Sequence, residues 1–368
     1  MASKEDKSLI EVLTQHQAYL YRASSQSVNE LLTIFNDESA FMLAKLRDLL
    51  DELNDSEKAA LAAGLYTTSN LKEIRDLISQ WFTAINTSLP QVFAVSATAL
   101  AVYEANYTAK LYRGKIKKPN GEKLYSAAKK APLVGGALVE DLLAKIAESV
   151  RQKVEYAIRD GISSGKTNQE IVQRIRGTKR LNYEDGLLTS SKADIDRTVR
   201  TVRSHVANQA YLDTFNKIGF EYVRFVSVLD GRTTKLCASL DGSVWEVNDP
   251  AKRVPPLHPN CRSILVPVEK DGQLVGERPF VMDERRVKDI PKDERSQLIG
   301  QLDANTTFKE FFGKTDDFFQ KEWLGPKRFK LYKDGKFDFD KFFDPEGRLY
   351  TLDQLRKLDE QAFKDLGL

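Results

Sequence analysis

Two runs decide the fold of the second half of this chain: Leu229-Asp230-Gly231-Arg232-Thr233-Thr234-Lys235-Leu236-Cys237 and Pro255-Pro256-Leu257-His258-Pro259-Asn260-Cys261-Arg262. The first has the composition of a turn, in which an aspartate accepts hydrogen bonds from backbone amides and an arginine pairs with a carboxylate. The prolines of the second favour an extended crossing that ends at its cysteine. Between the two runs, Leu240-Asp241-Gly242 is typical of a hairpin turn that leads into a strand. We expect the residues of these motifs to have an architectural role: Asp230, Arg232, Thr233, Asp241, Gly242, Pro259 and Arg262.

Both cysteines of the chain and one of its three histidines lie in these runs. Because Cys and His clusters form zinc sites, Cys237, His258 and Cys261 are candidate metal ligands, and Asp230 is a candidate fourth. Two other interpretations stay open: the thiols form a disulfide, or they are buried as small apolar side chains. A structural zinc site usually has four protein ligands, and a catalytic one needs a general base that these runs do not supply.

The residues around the two runs have the pattern of β-strands. Residues 220–228, 243–247 and 264–268 are rich in β-branched and aromatic side chains. Asp271-Gly272 stands between the last of these and the short apolar run at 273–275, which predicts a hairpin. A small module that contains β-strands is therefore expected between residues 220 and 280.

The chain up to residue 218 has the pattern of an almost entirely helical structure. Apolar residues recur at helical spacing over residues 27–54, 68–87, 90–112 and 136–159. Pro90 suits the first turn of a helix, so a helix boundary is expected there. Thr167 and Glu170 predict a capping box for a short helix, and the helix that starts near Ser191 should stop at Gly219.

The chain beyond residue 290 is rich in phenylalanine, and this segment is too apolar for a disordered tail. We expect short helices that pack back onto the body. The predicted fold class is therefore α+β, with a largely helical N-terminal half, a small β-containing module and a helical or irregular, aromatic-rich C-terminal segment. The expected domains are a helical arm over residues 1–160, helices followed by the β unit over 161–285, and the C-terminal segment over 286–368.

Composition and charge are those of an ordinary globular protein. The 368 residues carry a net charge of +3, with 41% hydrophobic and 30% charged residues. Glu5 and Asp6 interrupt the N-terminus, which argues against a secretory signal peptide. No stretch approaches the roughly 20 apolar residues of a membrane span, and residues 89–102 are better interpreted as a buried helix. Two cysteines exclude a disulfide-rich scaffold.

Positive charge is concentrated between residues 110 and 130. Eight basic residues there are accompanied by a single acidic residue, Glu122. A flexible basic loop binds phosphates without regard to base sequence, and its affinity falls as the salt concentration rises. The candidate DNA contacts are Lys110, Arg113, Lys115, Lys117, Lys118 and Lys123. The alternatives are a solvated loop and a loop that docks on an acidic protein surface.

The order of these motifs resembles the minor head protein family of tailed phages, also called the head-morphogenesis or Mu protein F-like family. The resemblance rests on the strand before Asp230, the turn from Asp230 to Thr233 with Cys237 after it, Leu240-Asp241-Gly242, and His258-Pro259-Asn260-Cys261-Arg262. The helix over residues 197–211 and the C-terminal run over 318–355 are also similar, so the resemblance spans residues 160 to 360. Many members have cysteines where this chain has Thr234 and Ser263, and their loss weakens the zinc interpretation.

The resemblance implies a structural role in the phage head rather than catalysis. Members associate with the portal, join the procapsid and bear on DNA packaging or delivery. The expected location is therefore the virion, at the portal vertex or in the capsid interior, after assembly in the host cytoplasm. Expected partners are the portal protein, the major capsid protein and double-stranded DNA, with no membrane during assembly, and no cofactor is expected apart from the zinc considered above.

Two alternative functions differ in class from a structural head protein. One is a metal-dependent hydrolase or nuclease, and the other is an assembly chaperone that leaves before the virion matures. Two-metal nucleases need clustered carboxylates, for which Asp230 and Asp241 are the candidates here, and His258 is held between Leu257 and Pro259. The sequence therefore favours a protein that is not an enzyme.

Overall fold

The structure is a computed structural model that describes residues 9–133, 135–335 and 337–368. Glu5 and Asp6, on which the expectation about a signal peptide rests, lie outside the described residues. The described chain is mostly helical and has two small three-stranded sheets. The predicted α+β class, with its helical N-terminal half and small β-containing module, is confirmed.

Seven α-helices form the N-terminal part of the described chain. They are α1 (Leu9–Asp51), α2 (Asp55–Ala62), α3 (Ser69–Leu111), α4 (Gly121–Lys130), α5 (Val139–Ser163), α6 (Asn168–Arg176) and α7 (Leu187–Ile218). α1, α3 and α7 pack against one another, and α4, α5 and α6 contact their sides. The predicted capping box at Thr167 and the stop at Gly219, whose φ is +98°, are both confirmed.

Helix α3 runs through Pro90, so the predicted boundary at this residue was wrong. Proline removes one helical hydrogen bond and crowds the preceding turn, which normally ends or kinks a helix. Leu89 and Phe93 on either side of it are fully buried. Burial of this apolar face stabilises the helical conformation on both sides and offsets the cost of the proline.

Helix α3 is also the one described helix that is long and apolar enough, by length and composition alone, to cross a membrane. The expectation that no stretch of the chain approaches the length and hydrophobicity of a membrane span was therefore too strict. The core helix of a globular protein passes the same test. Here α3 buries Glu104 and a row of apolar side chains between α1 and α7, as such a core helix does.

Two short sheets follow α7. The elements are β1 (Tyr222–Val226), β2 (Leu229–Asp230), α8 (Lys235–Leu240), β3 (Val244–Glu246), β4 (Ile264–Val268), β5 (Glu277–Val281), α9 (Arg295–Leu298) and β6 (Ile299–Asp303). The first sheet has the order β3-β1-β4 and is antiparallel, with Val223 opposite both Trp245 and Pro267. The second has the order β2-β5-β6, in which β2 and β5 are parallel and β5 and β6 are antiparallel.

Two local predictions in this module were wrong. Asp271-Gly272 does not turn β4 into a hairpin, because Asn305 bonds to both the N–H and the C=O of Leu274 and holds that segment away from β4. Leu240-Asp241-Gly242 does not join two strands either, since it ends the short helix α8, which Thr234 caps. The strands also extend beyond residue 280 to β6, where Gly300 leaves room for the ring of Phe280.

The C-terminal segment consists of the short helices α10 (Phe308–Lys314), α11 (Asp317–Leu324), α12 (Pro326–Lys333), α13 (Leu352–Leu358) and α14 (Glu360–Asp365). Its phenylalanines, apart from the exposed Phe318, form one aromatic cluster with Trp323, which includes Leu229 of β2 and Ala238 of α8. The Trp323 indole donates a hydrogen bond of 3.0 Å to the backbone oxygen of Thr233. The segment therefore packs onto the β-containing module.

A second hydrophobic cluster connects the helices with the first sheet. It continues from Phe35 in α1 and Phe93 in α3 through Val206 in α7 to Phe225 in β1 and Leu265 in β4. The helices and the first sheet therefore share one core. The division into domains at residue 160 stays a prediction.

Candidate functional site

The side chains of Cys237, His258 and Cys261 meet at one point in the β-containing module. The two sulfur atoms are 3.7 Å apart, and the Cys237 sulfur lies 3.2 Å from Nε2 of His258. One ligand atom from each residue lies within 4.8 Å of the other two. Both cysteines are buried and His258 is half-buried. The cluster therefore joins helix α8 to the chain crossing that precedes β4.

The orientation of the His258 ring leaves Nε2 facing the two sulfur atoms. Its Nδ1 lies 2.9 Å from the backbone oxygen of Pro259, to which it donates a hydrogen bond. A hydrogen bond from Nδ1 leaves the lone pair of Nε2 free, and metal-bound histidines in proteins are held in this way. A backbone N–H···O bond of 3.2 Å from Cys261 to His258 fixes the turn between the two residues.

The three groups shift one another's protonation. The hydrogen bond from Cys237 holds the pKa of Cys261 well below its usual range, although burial opposes this, and it raises the pKa of Cys237. Burial alone would lower the pKa of His258, but its hydrogen bond to Cys261 and the charge there raise it overall. The cluster thus favours a thiolate at Cys261, and a thiolate is the form that binds metals.

The donor set fits a zinc ion better than a hard cation. Two sulfurs and an imidazole nitrogen are the ligands that Zn²⁺ takes in proteins, whereas Mg²⁺ and Ca²⁺ take oxygen. The candidate fourth ligand, Asp230, is not part of the group. Its carboxylate is instead occupied by neighbouring donors from Arg262, Arg232 and Thr233.

Asp230 connects the turn to the end of the crossing. Its buried carboxylate accepts two hydrogen bonds from Arg262, of 2.6 and 2.8 Å, in the paired geometry that is strong for arginine and carboxylate. The backbone N–H of Arg232 and the hydroxyl of Thr233 also donate to it, at 3.1 and 3.0 Å. Every oxygen of this side chain is therefore engaged in holding the structure.

Asp241 forms a second junction, deeper in the module. Its side chain is fully buried and accepts bonds of 2.6 Å from the backbone N–H of both Ser227 and Phe308. Arg278 donates to the same carboxylate at 3.1 and 3.3 Å, and it also donates to the Thr306 carbonyl. The junction therefore joins the end of α8, the first sheet, β5 and the start of α10.

Sequence reasoning missed the arginines that complete these junctions. Arg278 and Arg224 are buried in β5 and β1, and Arg224 donates to the backbone oxygens of Gly272 and Asn305. Arg224 could have been recognised in the sequence because it is a charged residue in the middle of an apolar strand, Tyr222 to Val226. A charge there must be paired or hydrogen-bonded, because an unpaired buried charge is costly.

The remaining motif residues fix the backbone near the cluster. Gly242 has a φ of +90°, and a side chain there would meet the Thr307 methyl group at 2.9 Å. Pro259 supplies the carbonyl that binds His258, and Asn260 beside it adopts a left-handed φ of +58°. The backbone N–H of Asn260 donates to the hydroxyl of Thr201 in α7 at 3.3 Å, which ties the crossing to the helices.

The basic segment lies apart from this cluster and is only partly a loop. Its second half is helix α4, which buries Leu124, Tyr125 and Ala128, so the prediction of one flexible loop was wrong. The six candidate DNA contacts are exposed: Lys110, Arg113, Lys115, Lys117, Lys118 and Lys123. None of the six forms an ion pair with another residue that the structure describes.

Comparison with known proteins supports the family resemblance. Residues 152–266 match the family model described as Phage Mu protein F like protein. No curated protein and no solved structure shows significant similarity to the chain. The matched range runs from α5 to β4 and contains both cysteines, His258, Asp230 and Asp241. The similarity seen in the C-terminal run lies beyond this range and stays a prediction. Over residues 152–266 the chain is therefore similar to Mu protein F-like phage proteins.

Proposed function

We propose that the protein is a minor head protein that stays in the virion and acts at the portal vertex by binding. The observation that carries this proposal is the family match over the module built around Asp230 and Asp241. Both carboxylates accept hydrogen bonds from arginines and backbone amides. A metal-dependent nuclease would need such groups free to hold ions or to activate water. The module is built as a rigid support.

The surface best suited to a protein partner is an uncharged face of α3. From Leu77 to Tyr103 this helix contains no charged residue, although 30% of the chain is charged. Every fourth residue along it points outward: Thr83, Thr87, Gln91, Val95, Ala99 and Tyr103. Uncharged side chains in such a row let a second helix pack along them without the burial of a charge. A membrane-surface helix instead combines large apolar residues with lysine and arginine.

A groove beside this face contains a buried cation. α1 and α3 enclose about 580 Å³ there, and Arg203 of α7 lies at its floor, about nine-tenths buried. The guanidinium donates to the hydroxyls of Ser24 and Ser27 and has no carboxylate in ion-pair contact among the described residues. Burial lowers the pKa of Arg203, although the charges of Glu104 and Glu30 oppose this. We therefore propose that the groove receives a portal helix with a small apolar face and one carboxylate.

Val95→Glu should weaken binding to the portal ring of the same phage at least tenfold. Val95 is 74% exposed at the centre of the face, so a charge there must be desolvated on binding without damage to the fold. The matched control is Val275→Glu, at a valine that is 88% exposed on the loop after β4. Co-sedimentation of the full-length variants with portal rings measures the effect. Equal binding by both variants would exclude α3 as the contact.

We further propose that the basic segment contacts the phosphate backbone of double-stranded DNA. Arg113, Lys115 and Lys117 point outward, while Gly114 lies against Ile218. Residues 114–120 have no regular secondary structure, so the exposed Lys115, Lys117 and Lys118 lie on an irregular segment that can follow a phosphate backbone.

Replacing Lys115, Lys117 and Lys118 with alanine should weaken DNA binding and lower its salt dependence. Each lost phosphate contact reduces the slope of log K against log salt by about 0.9, so the triple variant should lose about 2–3 units. The control replaces Lys270, Lys288 and Lys292, three exposed lysines between β4 and α9. Fluorescence anisotropy with a random-sequence duplex at several salt concentrations gives both slopes. An unchanged slope in the first variant would contradict the proposal.

The assembly chaperone differs from this proposal in one measurable respect. A chaperone is present in procapsids and absent from finished virions, whereas a permanent component is present in equal amounts in both. Quantitative mass spectrometry of the two particles, normalised to portal protein, separates the two functions.

A further inference from the structure

We propose that Cys237, His258 and Cys261 bind one Zn²⁺ ion that fastens helix α8 to the chain crossing before β4. The proposal is independent of the portal and DNA contacts, because it concerns the buried interior of the module. The ten-residue crossing over 253–262 has no regular secondary structure of its own. A metal bridge would add a connection to α8 to the bonds that Asn260 and Arg262 already form.

The distances within the cluster are those of ligands around a tetrahedral ion. Zn–S distances of about 2.3 Å place two thiolates about 3.8 Å apart, and a thiolate and an imidazole nitrogen about 3.6 Å apart. The observed separations are 3.7 Å between the sulfurs and 3.2 Å between the Cys237 sulfur and Nε2. These two separations differ from the tetrahedral values by a few tenths of an ångström, and the third pair of ligand atoms lies within 4.8 Å. A disulfide would instead require the sulfurs to close to about 2.05 Å.

Charge balance also favours a divalent ion. When an ion displaces the thiol protons, the two buried thiolates carry two negative charges, and an uncompensated buried charge is costly. Zn²⁺ neutralises both while the neutral imidazole supplies the third ligand. The hydrogen bond from Nδ1 to the Pro259 carbonyl already fixes the tautomer that this requires.

Ser263 is the neighbouring position at which a fourth protein ligand can be introduced by substitution. This residue is 2% exposed, and its side chain interacts with the thiol of Cys237. A serine hydroxyl is not a usual zinc ligand, so three protein side chains hold the ion in this chain. Ser263→Cys should supply a fourth ligand and hold the ion more tightly. The site is therefore a three-ligand version of a structural zinc centre, with the role of a cross-link.

Metal analysis of the reduced, full-length protein tests this proposal. We expect about one zinc per chain, and less than about one fifth of that in Cys261→Ser. Ser263→Cys should release zinc to a chelator more slowly, on the order of tenfold. Chelation should also lower the melting temperature of the wild-type protein and leave that of Cys261→Ser unchanged. His16→Gln, at a histidine in α1, is the matched control and should retain its zinc.

A second measurement remains informative if Cys261→Ser fails to fold. Co²⁺ added to the metal-free wild-type protein should produce the near-ultraviolet charge-transfer absorption of a cobalt–thiolate bond, and Ser263→Cys should increase it. Absence of both stoichiometric zinc and this absorption would overturn the proposal. So would a mass two hydrogens lower in the purified protein, since that result would assign the thiols to a disulfide.

Discussion

Asp241→Ala is expected to lower the free energy of unfolding by about 3–5 kcal/mol, because it leaves the buried Arg278 without its counter-ion. The carboxylate of Asp241 is fully buried and bonds to Arg278, to Ser227 and to Phe308. The substitution leaves Arg278 buried without a counter-ion. It also leaves the backbone N–H groups of Ser227 and Phe308 buried without an acceptor. Since these donors belong to three different elements, the loss should loosen the contact between the β-containing module and the C-terminal segment.

Urea unfolding followed by tryptophan fluorescence measures this effect, since Trp323 lies in the aromatic cluster that α10 helps to form. The control is Asp353→Ala, whose side chain is 87% exposed in an ion pair with Arg356 and should change stability by less than about 0.5 kcal/mol. The double variant Asp241→Ala, Arg278→Leu should recover part of the lost free energy of unfolding, because it removes the unpaired buried charge of Arg278. A loss below about 1 kcal/mol in the single variant would show that the pair contributes little.

Asp230→Asn is expected to destabilise the protein by about 3 kcal/mol at pH 7, and this difference should shrink on acidification. Burial by itself raises the pKa of Asp230, but the hydrogen bonds and charge of Arg262 outweigh it and hold the pKa below its ordinary value of 3.8. The unfolded chain therefore takes up this proton first as the pH falls. The stabilisation by Asp230 is complete well above pH 3.8 and is lost as the pH falls towards the pKa of the folded state.

Unfolding free energies of the wild-type protein and Asp230→Asn at a series of pH values from 7 to 3 give this comparison. Asp317→Asn, at a carboxylate with 74% exposure, serves as the control and should show a small difference throughout. A difference for Asp230→Asn that stays constant or widens towards low pH would contradict the assignment of a lowered pKa.

Local patterns in the sequence were sufficient for much of the fold. Thr167 and Glu170 fix a helix start within four residues, and the β-branched run that becomes β1 needs no distant partner to be recognised. Pro90 shows where such rules fail, because the burial of its neighbours depends on α1 and α7. The predicted hairpin at Gly272 failed for the same reason, since Asn305 lies far along the chain.

The candidate site was likewise predictable from the sequence only in part. The short spacing between His258 and Cys261 suggested that both point to one place, and their residue types suggested a metal. The partners of the buried acids could not be read from the sequence. Arg278 is one of many arginines, and only the fold brings it from β5 to Asp241. Local chemistry therefore indicates which residues matter, and tertiary structure decides what they contact.

The position of Phe363 has a consequence for biosynthesis. This residue of α14 is buried in the aromatic cluster that also holds Leu229 of β2. The helical core and the first sheet use residues up to 268, so they can form while later residues are still in the ribosome. The aromatic cluster cannot close until residue 363 has emerged. A nascent chain stalled shortly before that point would expose a set of phenylalanines, and such an intermediate is a natural substrate for host chaperones.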